Sequence, residues 1–123
     1  MSSPLATLPR DVIQRDGART AFDAHRIRSA IARAGSATGE FGEEEAQLLT
    51  AQATKVLIHR FRGEAPTIEQ IQDVVEQTLI AANHLQTARA YMAYRQRHAT
   101  LRADRQTLVD VESSINEYLT RAD

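Results

Sequence analysis

Cysteine is absent from the 123-residue sequence, which excludes a disulfide framework, a thiolate zinc site and cysteine-based chemistry. Charge of one sign is not in excess: the formal net charge of −1 gives no global pull toward nucleic acid or an acidic membrane. No apolar run approaches the length needed to span a bilayer. Residues 1–9 lack the basic start and continuous apolar stretch of a signal peptide, so a soluble cytoplasmic protein is expected. Glycine-rich phosphate loops of the Walker or Rossmann type are missing, and no Ser-His-Asp arrangement can be inferred. His25, His59, His84 and His98 fall in different segments without metal-ligand spacing, so a protein-made metal site is not expected. Lysine is nearly missing too: Lys55 is the single Lys among fifteen basic residues, and the rest are Arg. Genomic base composition explains such a bias, but the planar guanidinium fork suits phosphate and carboxylate, so each Arg position is argued separately.

What is present begins with a turn. Asp16-Gly17 is a strong signal for a two-residue type I′ hairpin, flanked by β-compatible runs at 12–15 and 19–22. Asp23 then sits where a helix N-cap belongs. Arg15, Arg19 and Arg26 thereby come close to a helix N-terminus, whose free N–H groups favour anions. Arg26 in a first helical turn opposes the helix dipole, and an anion there would reverse that penalty. On spacing alone, Arg15 and Arg26 read equally well as phosphate ligands or as solvated surface charges.

Helical periodicity organises the rest. A first helix is expected over about 23–36, with Ile27, Ala30, Ile31 and Ala34 on one apolar face and Gly35, Gly39 and Gly42 marking its end and the following loop. Glu43, Glu44 and Glu45 suit the first turn of a second helix, whose buried stripe is Ala46, Leu49, Ala53, Val56, Leu57 and Phe61. Thr67 is a good N-cap for a third helix, with Gln70 at the reciprocal position and Ile68, Ile71, Val75, Leu79 and Ala82 facing the core. Asn83-His84 is a short connection to a fourth helix from about Leu85, with no Gly or Pro before Leu119. Tyr91 and Tyr94 read as core packing. Residues 1–10 read as a loose arm, broken by Pro4 and Pro9. The fold class expected is mainly α: a four-helix bundle capped by a small β hairpin lid, with a C-terminal helical extension.

Three motifs in order carry a family resemblance. Residues 12–27 match a pattern "V-x-K-R-D-G-x-x-x-x-F-D-x-x-K-I" at Val12, Arg15, Asp16, Gly17, Phe22, Asp23 and Ile27, with Arg26 for its Lys and Gln14 departing from a Lys. "T-I-E-Q-I-Q-D-V-V-E-Q-T-L-I" from Thr67 looks like a third cone helix, and "A-R-A-Y-M-A-Y-R" from Ala88 looks like a closing one. Together they resemble the ATP-cone, the regulatory nucleotide-binding domain of ribonucleotide reductases, over residues 11–100. The resemblance implies ATP or dATP as effector, with magnesium arriving on phosphate oxygens. It implies phosphate contacts from Arg15 and Arg26, and from Arg97 or Arg95 near the end of the fourth helix. The backbone of Val12 would lie along the base, with Thr20 and Asp23 near adenine or ribose and Ile68 and Gln72 closing over the nucleoside. Asp16 and Gly17 would shape the turn. Gln14 can donate its amide but not a charge, leaving Arg19 to compensate or the triphosphate less tightly held.

The resemblance further implies that ATP supports and dATP inhibits an attached reductase through altered subunit association, with no catalysis by this chain. The final "D-V-E-S-S-I-N-E-Y-L-T-R-A-D" resembles the linker entering the catalytic domain of anaerobic, glycyl-radical reductases, so the chain reads as an N-terminal fragment lacking that partner. Leu101, Leu108, Val111, Ile115 and Tyr118 form an apolar stripe in this helical linker, residues 101–123, which suggests homo-oligomerisation unless it folds back on the bundle. Two other readings stand beside this one. A nucleotide-sensing transcriptional repressor also carries a cone, but behind a four-cysteine zinc ribbon. A helical interaction module without ligand is the other. Arg89, Arg95, Arg97, Arg102 and Arg105 with Tyr91 and Tyr94 form a basic, aromatic helix, but Asp104, Asp110, Glu112 and Glu117 dilute it, so nucleic acid is not expected as a partner.

Overall fold

A computed structural model of the chain describes residues 7–97 and residue 99. The expected arm up to residue 6 and the helical linker 101–123, with its apolar stripe, lie outside the described residues. Two strands open the fold, β1 (Asp11–Ile13) and β2 (Arg19–Ala21), followed by α1 (Ala24–Thr38), α2 (Glu43–Phe61) and α3 (Ile68–Ala81). A fourth helix, α4, covers residues 85–92, and residues 93–97 and 99 are also helical. The chain divides into two compact units at Met92 and Ala93, so the bundle described below is that of the first unit.

The strands pair antiparallel with Val12 opposite Thr20. Pro9 and Arg10, expected in the loose arm, are tied to the fold: Pro9 is buried and the Phe22 N–H donates to the Arg10 carbonyl at 2.9 Å. Helix α2 packs against both α1 and α3. Its core face alternates small and large residues, Ala46, Leu49, Ala53 and Leu57, all at most 1% exposed. Ile31 of α1, Val74, Val75 and Leu79 of α3, and Ala88 and Tyr91 of α4 join the same cluster. The expected α3 stripe recurs with two additions, Val74 and Thr78, the latter satisfying its hydroxyl on the Val74 carbonyl at 2.8 Å, and the α2 stripe gains Thr50. Tyr94 departs from its expected core place and is 38% exposed. The buried positions Thr87, Ala88 and Tyr91 advance by helical steps that next reach 95, not 94.

Helix ends are fixed by local chemistry. The Asp23 carboxylate accepts from the His25 N–H at 2.9 Å, and α1 closes at Gly39 in the left-handed region. A full capping box starts α3, with Thr67 and Gln70 satisfying each other's backbone N–H groups at 3.1 and 2.9 Å. Asn83, at φ 65°, ends it: its N–H donates to Ile80 and that of His84 to Leu79, both at 2.9 Å, the two bonds of a Schellman motif. Gly35 does not end α1, contrary to its expected role. It is buried inside the helix because the Phe41 ring lies over it, and a Cβ there would come within 2.5 Å of Phe41 Cζ.

The α1–α2 loop also holds the start of α4. Glu40 Oε1 accepts from both the backbone N–H and the hydroxyl of Thr87, at 2.6 and 2.5 Å. Thr38 Oγ1 lies 2.8 Å from the same hydroxyl. Beside this clip, His84 Nε2 is 2.8 Å from Glu45 Oε2, and its ring stacks at a tilt on Phe41, 4.6 Å between centroids. The hydrogen bonds from Thr87, side chain first, hold the Glu40 carboxyl below its ordinary 4.5 and outweigh the opposing effect of desolvation.

Two outcomes follow for stability. Gly35→Ala gains about 1 kcal/mol in helix propensity, but forcing the Phe41 ring outward costs about 1–3 kcal/mol. Urea unfolding should show a net loss of roughly 1 kcal/mol, reduced when Phe41→Leu is added; a stabilised Gly35→Ala would show that the ring is free to move. Since Glu40 is harder to protonate in the folded chain, its contribution is complete above the ordinary Glu range and fades as pH falls through the lowered folded value. The urea midpoint of the parent should therefore drop more steeply below pH 4.5 than that of Glu40→Gln, and parallel profiles would rule the clip out as the cause.

Candidate functional site

The hairpin turn is not the two-residue type I′ loop expected from Asp16-Gly17. Gln14 N–H donates to the Ala18 carbonyl at 2.8 Å and Gly17 N–H to the Gln14 carbonyl at 2.9 Å, leaving a three-residue loop of Arg15, Asp16 and Gly17. Only Gly17 of the loop has positive φ, 86°, whereas type I′ needs it twice. The Asp16 carboxylate is spent on the Ala18 N–H at 2.9 Å, which favours an Asx-stabilised turn ending in a left-handed glycine. The extra residue is Arg15, and it lifts that side chain to the tip.

Two contacts seat the hairpin on the bundle. Ile13 N–H donates to the Pro66 carbonyl at 2.9 Å, in a parallel bridge to Thr67 at the start of α3. Val12, 5% exposed, enters the core. Because strand side chains alternate, Val12 and its partner Thr20 share the bundle-facing side, while Asp11, Ile13 and Arg19 take the other. Arg19 is 62% exposed there and lies 3.8 Å from Asp11. It is thus turned away from the face on which it would have to replace the charge missing at Gln14.

Between hairpin, α1 and α3 lies a cleft lined by Val12, Gln14, Thr20, Asp23, Arg26 and Ile68, with Phe22, Ile27 and Ile71 at its base. Six of the sequence-derived candidates therefore converge. The base was missed as a site because Ile27 and Ile71 read from periodicity as core; they are core residues at the edge where the core meets the cleft. The cavity is ≈ 60 Å³, well under the about 300–1,000 Å³ of a drug-sized ligand pocket. A larger ligand must therefore lie across its open mouth. Gln14 Nε2 donates to Thr20 Oγ1 at 2.8 Å, so this pair forms one polar edge. Asp23 supplies another, although one of its oxygens already caps α1.

Arg26 is the exposed cation of this cleft. No acidic residue occupies the first turn of α1, and its guanidinium has no counterion among the described residues. A positive side chain in the first helical turn is unfavourable by about 0.3–1 kcal/mol, which the Asp23 cap offsets in part and an arriving anion would reverse. Arg15 sits elsewhere, outside the cleft lining. Its Nη1 lies 2.8 Å from Glu69 Oε1 and its Nη2 3.4 Å from Gln72 Oε1, on the first turns of α3. Gln72 thus belongs to the Arg15 cluster and not to the cleft wall, and Asp16 and Gly17 shape the turn. Arg95, half-buried, and Arg97, exposed, belong to the second unit. Among the described residues, no three His, Asp or Glu side chains gather as metal ligands, and no helix is long and apolar enough to cross a membrane.

Comparison with known proteins converges on one family. The model of the ATP cone domain matches residues 10–100. The chain is 35% identical over 107 residues to the anaerobic ribonucleoside-triphosphate reductase of Haemophilus influenzae, covering 86% of this chain and 15% of that protein. It is 34% identical over 103 residues to the ribonucleoside-diphosphate reductase subunit alpha of Chlamydia muridarum, covering 76% and 10%. It is 39% identical over 94 residues to the vitamin B12-dependent ribonucleoside-diphosphate reductase of Mycobacterium tuberculosis, covering 76% and 13%. The chain therefore spans only a small part of the length of these relatives. A lid tied to the third helix, a capped first helix behind it and the match over residues 10–100 agree: the chain belongs to the ATP-cone family, the nucleotide-binding regulatory domain of ribonucleotide reductases.

Proposed function

We propose that this cone binds ATP or dATP across the cleft and reports the bound nucleotide to a ribonucleotide reductase catalytic domain. The observation that carries the reading is the placement of Arg26, which has no ion-pair partner among the described residues, at the helix N-terminus bordering an apolar cleft. A purine needs an apolar surface with a few hydrogen-bonding groups at its edge, and a triphosphate needs cations and free N–H donors. The base lies along the Val12 backbone with Ile68 over it, and the Gln14–Thr20 pair and Asp23 meet its polar atoms or the ribose. The phosphates run toward Arg26 and, past the hairpin tip, toward Arg15, whose turn Asp16 and Gly17 maintain. Gln72 steadies Arg15, and Arg95 or Arg97 adds a further phosphate contact. Magnesium accompanies the phosphates, held by their oxygens.

In this reading ATP supports activity and dATP suppresses it, through a change in subunit association in the cytoplasm. The chain itself contributes regulation and no chemistry. The relative naming an anaerobic ribonucleoside-triphosphate reductase favours that enzyme class as the partner.

Thermal shift with ATP, dATP, GTP and CTP tests the ligand. ATP and dATP should stabilise the chain with increments that grow as RT ln(1 + [L]/Kd), and the other two should do so much less. Equal shifts with all four mean generic polyanion binding, and no shift with any favours a helical module without ligand. Arg26→Ala should weaken dATP binding by about 1.5–3 kcal/mol, the scale of a hydrogen bond to a charged group. Arg15→Ala should cost less, because Arg15 must first leave Glu69, an exposed pair worth at most about 1 kcal/mol. Calorimetry that finds both variants equal to the parent places the phosphates elsewhere.

A further inference from the structure

Arg15 is not waiting with an empty fork. Two of its guanidinium nitrogens are already directed at α3, one at the Glu69 carboxylate at 2.8 Å and one at the Gln72 amide oxygen at 3.4 Å. The side chain is 30% exposed, half the exposure of Arg19 on the neighbouring strand. Glu69 falls in the first turn of α3, where a carboxylate is stabilised by the helix end whether or not Arg15 is present. The two partners are therefore unequally dependent on the pair. Glu69 keeps a favourable site when Arg15 leaves, whereas Arg15 keeps one only if another anion takes over.

We propose that Glu69 is a built-in competitor for the nucleotide's phosphates. Its carboxylate holds Arg15 in the ligand-free cone, and a ligand must bring enough negative charge to draw the guanidinium away. The inference rests on the phosphate reading of Arg15 given above. An exposed ion pair is weak and a bidentate guanidinium–phosphate contact is strong, so the exchange favours phosphate. Until it is complete, the Glu69 carboxylate repels the approaching ligand. The latch thereby narrows the contrast between highly and weakly charged adenine ligands: ATP bears its whole cost, AMP only part of it, and adenosine none. Release of Arg15 also unfastens the hairpin tip from α3, leaving the lid held at Ile13 and Val12.

The test is calorimetry with ATP, ADP, AMP and adenosine on the parent, Glu69→Gln, Arg15→Ala and the double variant. The Thr67–Gln70 capping box is untouched by Glu69→Gln, so α3 keeps its start, which circular dichroism checks. Glu69→Gln should bind ATP about 2- to 5-fold more tightly at low salt, the range of an exposed ion pair. The gain should shrink from ATP to AMP, be absent for adenosine, and vanish in the Arg15→Ala background. Unchanged or weaker ATP binding by Glu69→Gln overturns the latch, as does a gain that persists without Arg15 or extends equally to adenosine. In the ligand-free chain, the Arg15 Nε–Hε resonance should shift on Glu69→Gln, and an unmoved resonance counts against the pair without reference to any ligand. If neither the parent nor Glu69→Gln binds ATP or dATP while both are folded, the adenine-nucleotide reading itself fails, an outcome distinct from binding that ignores Glu69.

Discussion

One backbone hydrogen bond, from the Ile13 N–H to the Pro66 carbonyl, decides whether this fold has a site at all. The hairpin contains two three-residue strands, and every residue of β2 is exposed. Such a ribbon is at best marginal in water by itself. The bond to Pro66 and the burial of Val12 fix it over the junction of α1 and α3 and so create the cleft beneath it. Pro66 is suited to this duty: it has no N–H to satisfy, its carbonyl accepts the Ile13 bond, and it is itself buried just ahead of the Thr67 cap.

Around that cleft the electrostatics depend on position more than on charge count. Arg is abundant in the chain, yet at the hairpin each one meets a different fate. Arg19 lies with Asp11 on the outer face, Arg15 lies with Glu69, and Arg26 has no acidic partner among the described residues. A net charge near zero hides this asymmetry. Gln14 sharpens it, because a hydrogen bond to Thr20 stands where the family pattern carries a charge. In the proposed reading, the phosphates would meet one cation ready, Arg26, and one in reserve, Arg15.

Much of this was legible in the residues. Asp23 and Thr67 announced their helices because capping is local chemistry, and the core stripes followed from a 3.6-residue period. The hairpin was legible as a hairpin, but its loop length was not: Asp16-Gly17 suits both a type I′ turn and a three-residue loop, and the Asp16 bond to Ala18 selects the second. Gly35 read as a breaker because its Phe41 neighbour is brought over it only by the packing of the loop. The Arg15–Glu69 pair spans 54 residues, and the Glu40 clip on Thr87 spans 47. Neither leaves a periodic trace. The convergence of Gln14, Thr20, Asp23 and Arg26 was visible through the resemblance to a known pattern, whereas Ile27 and Ile71 at the cleft base were hidden by their second role as core.

Helix α1 has a distinct duty at each end. Asp23 and Arg26 at its start border the cleft, and Thr38 at its finish bonds to Thr87, which Glu40 clamps into the first turn of α4. Fifteen residues at about 1.5 Å each make it a strut of roughly 22 Å. A straight, hydrogen-bonded helix does not absorb displacement along its length. Its tilt is a single variable shared by the floor of the cleft and the root of α4, so the direction in which α4 sets out is referred to the same rod on which a nucleotide would rest.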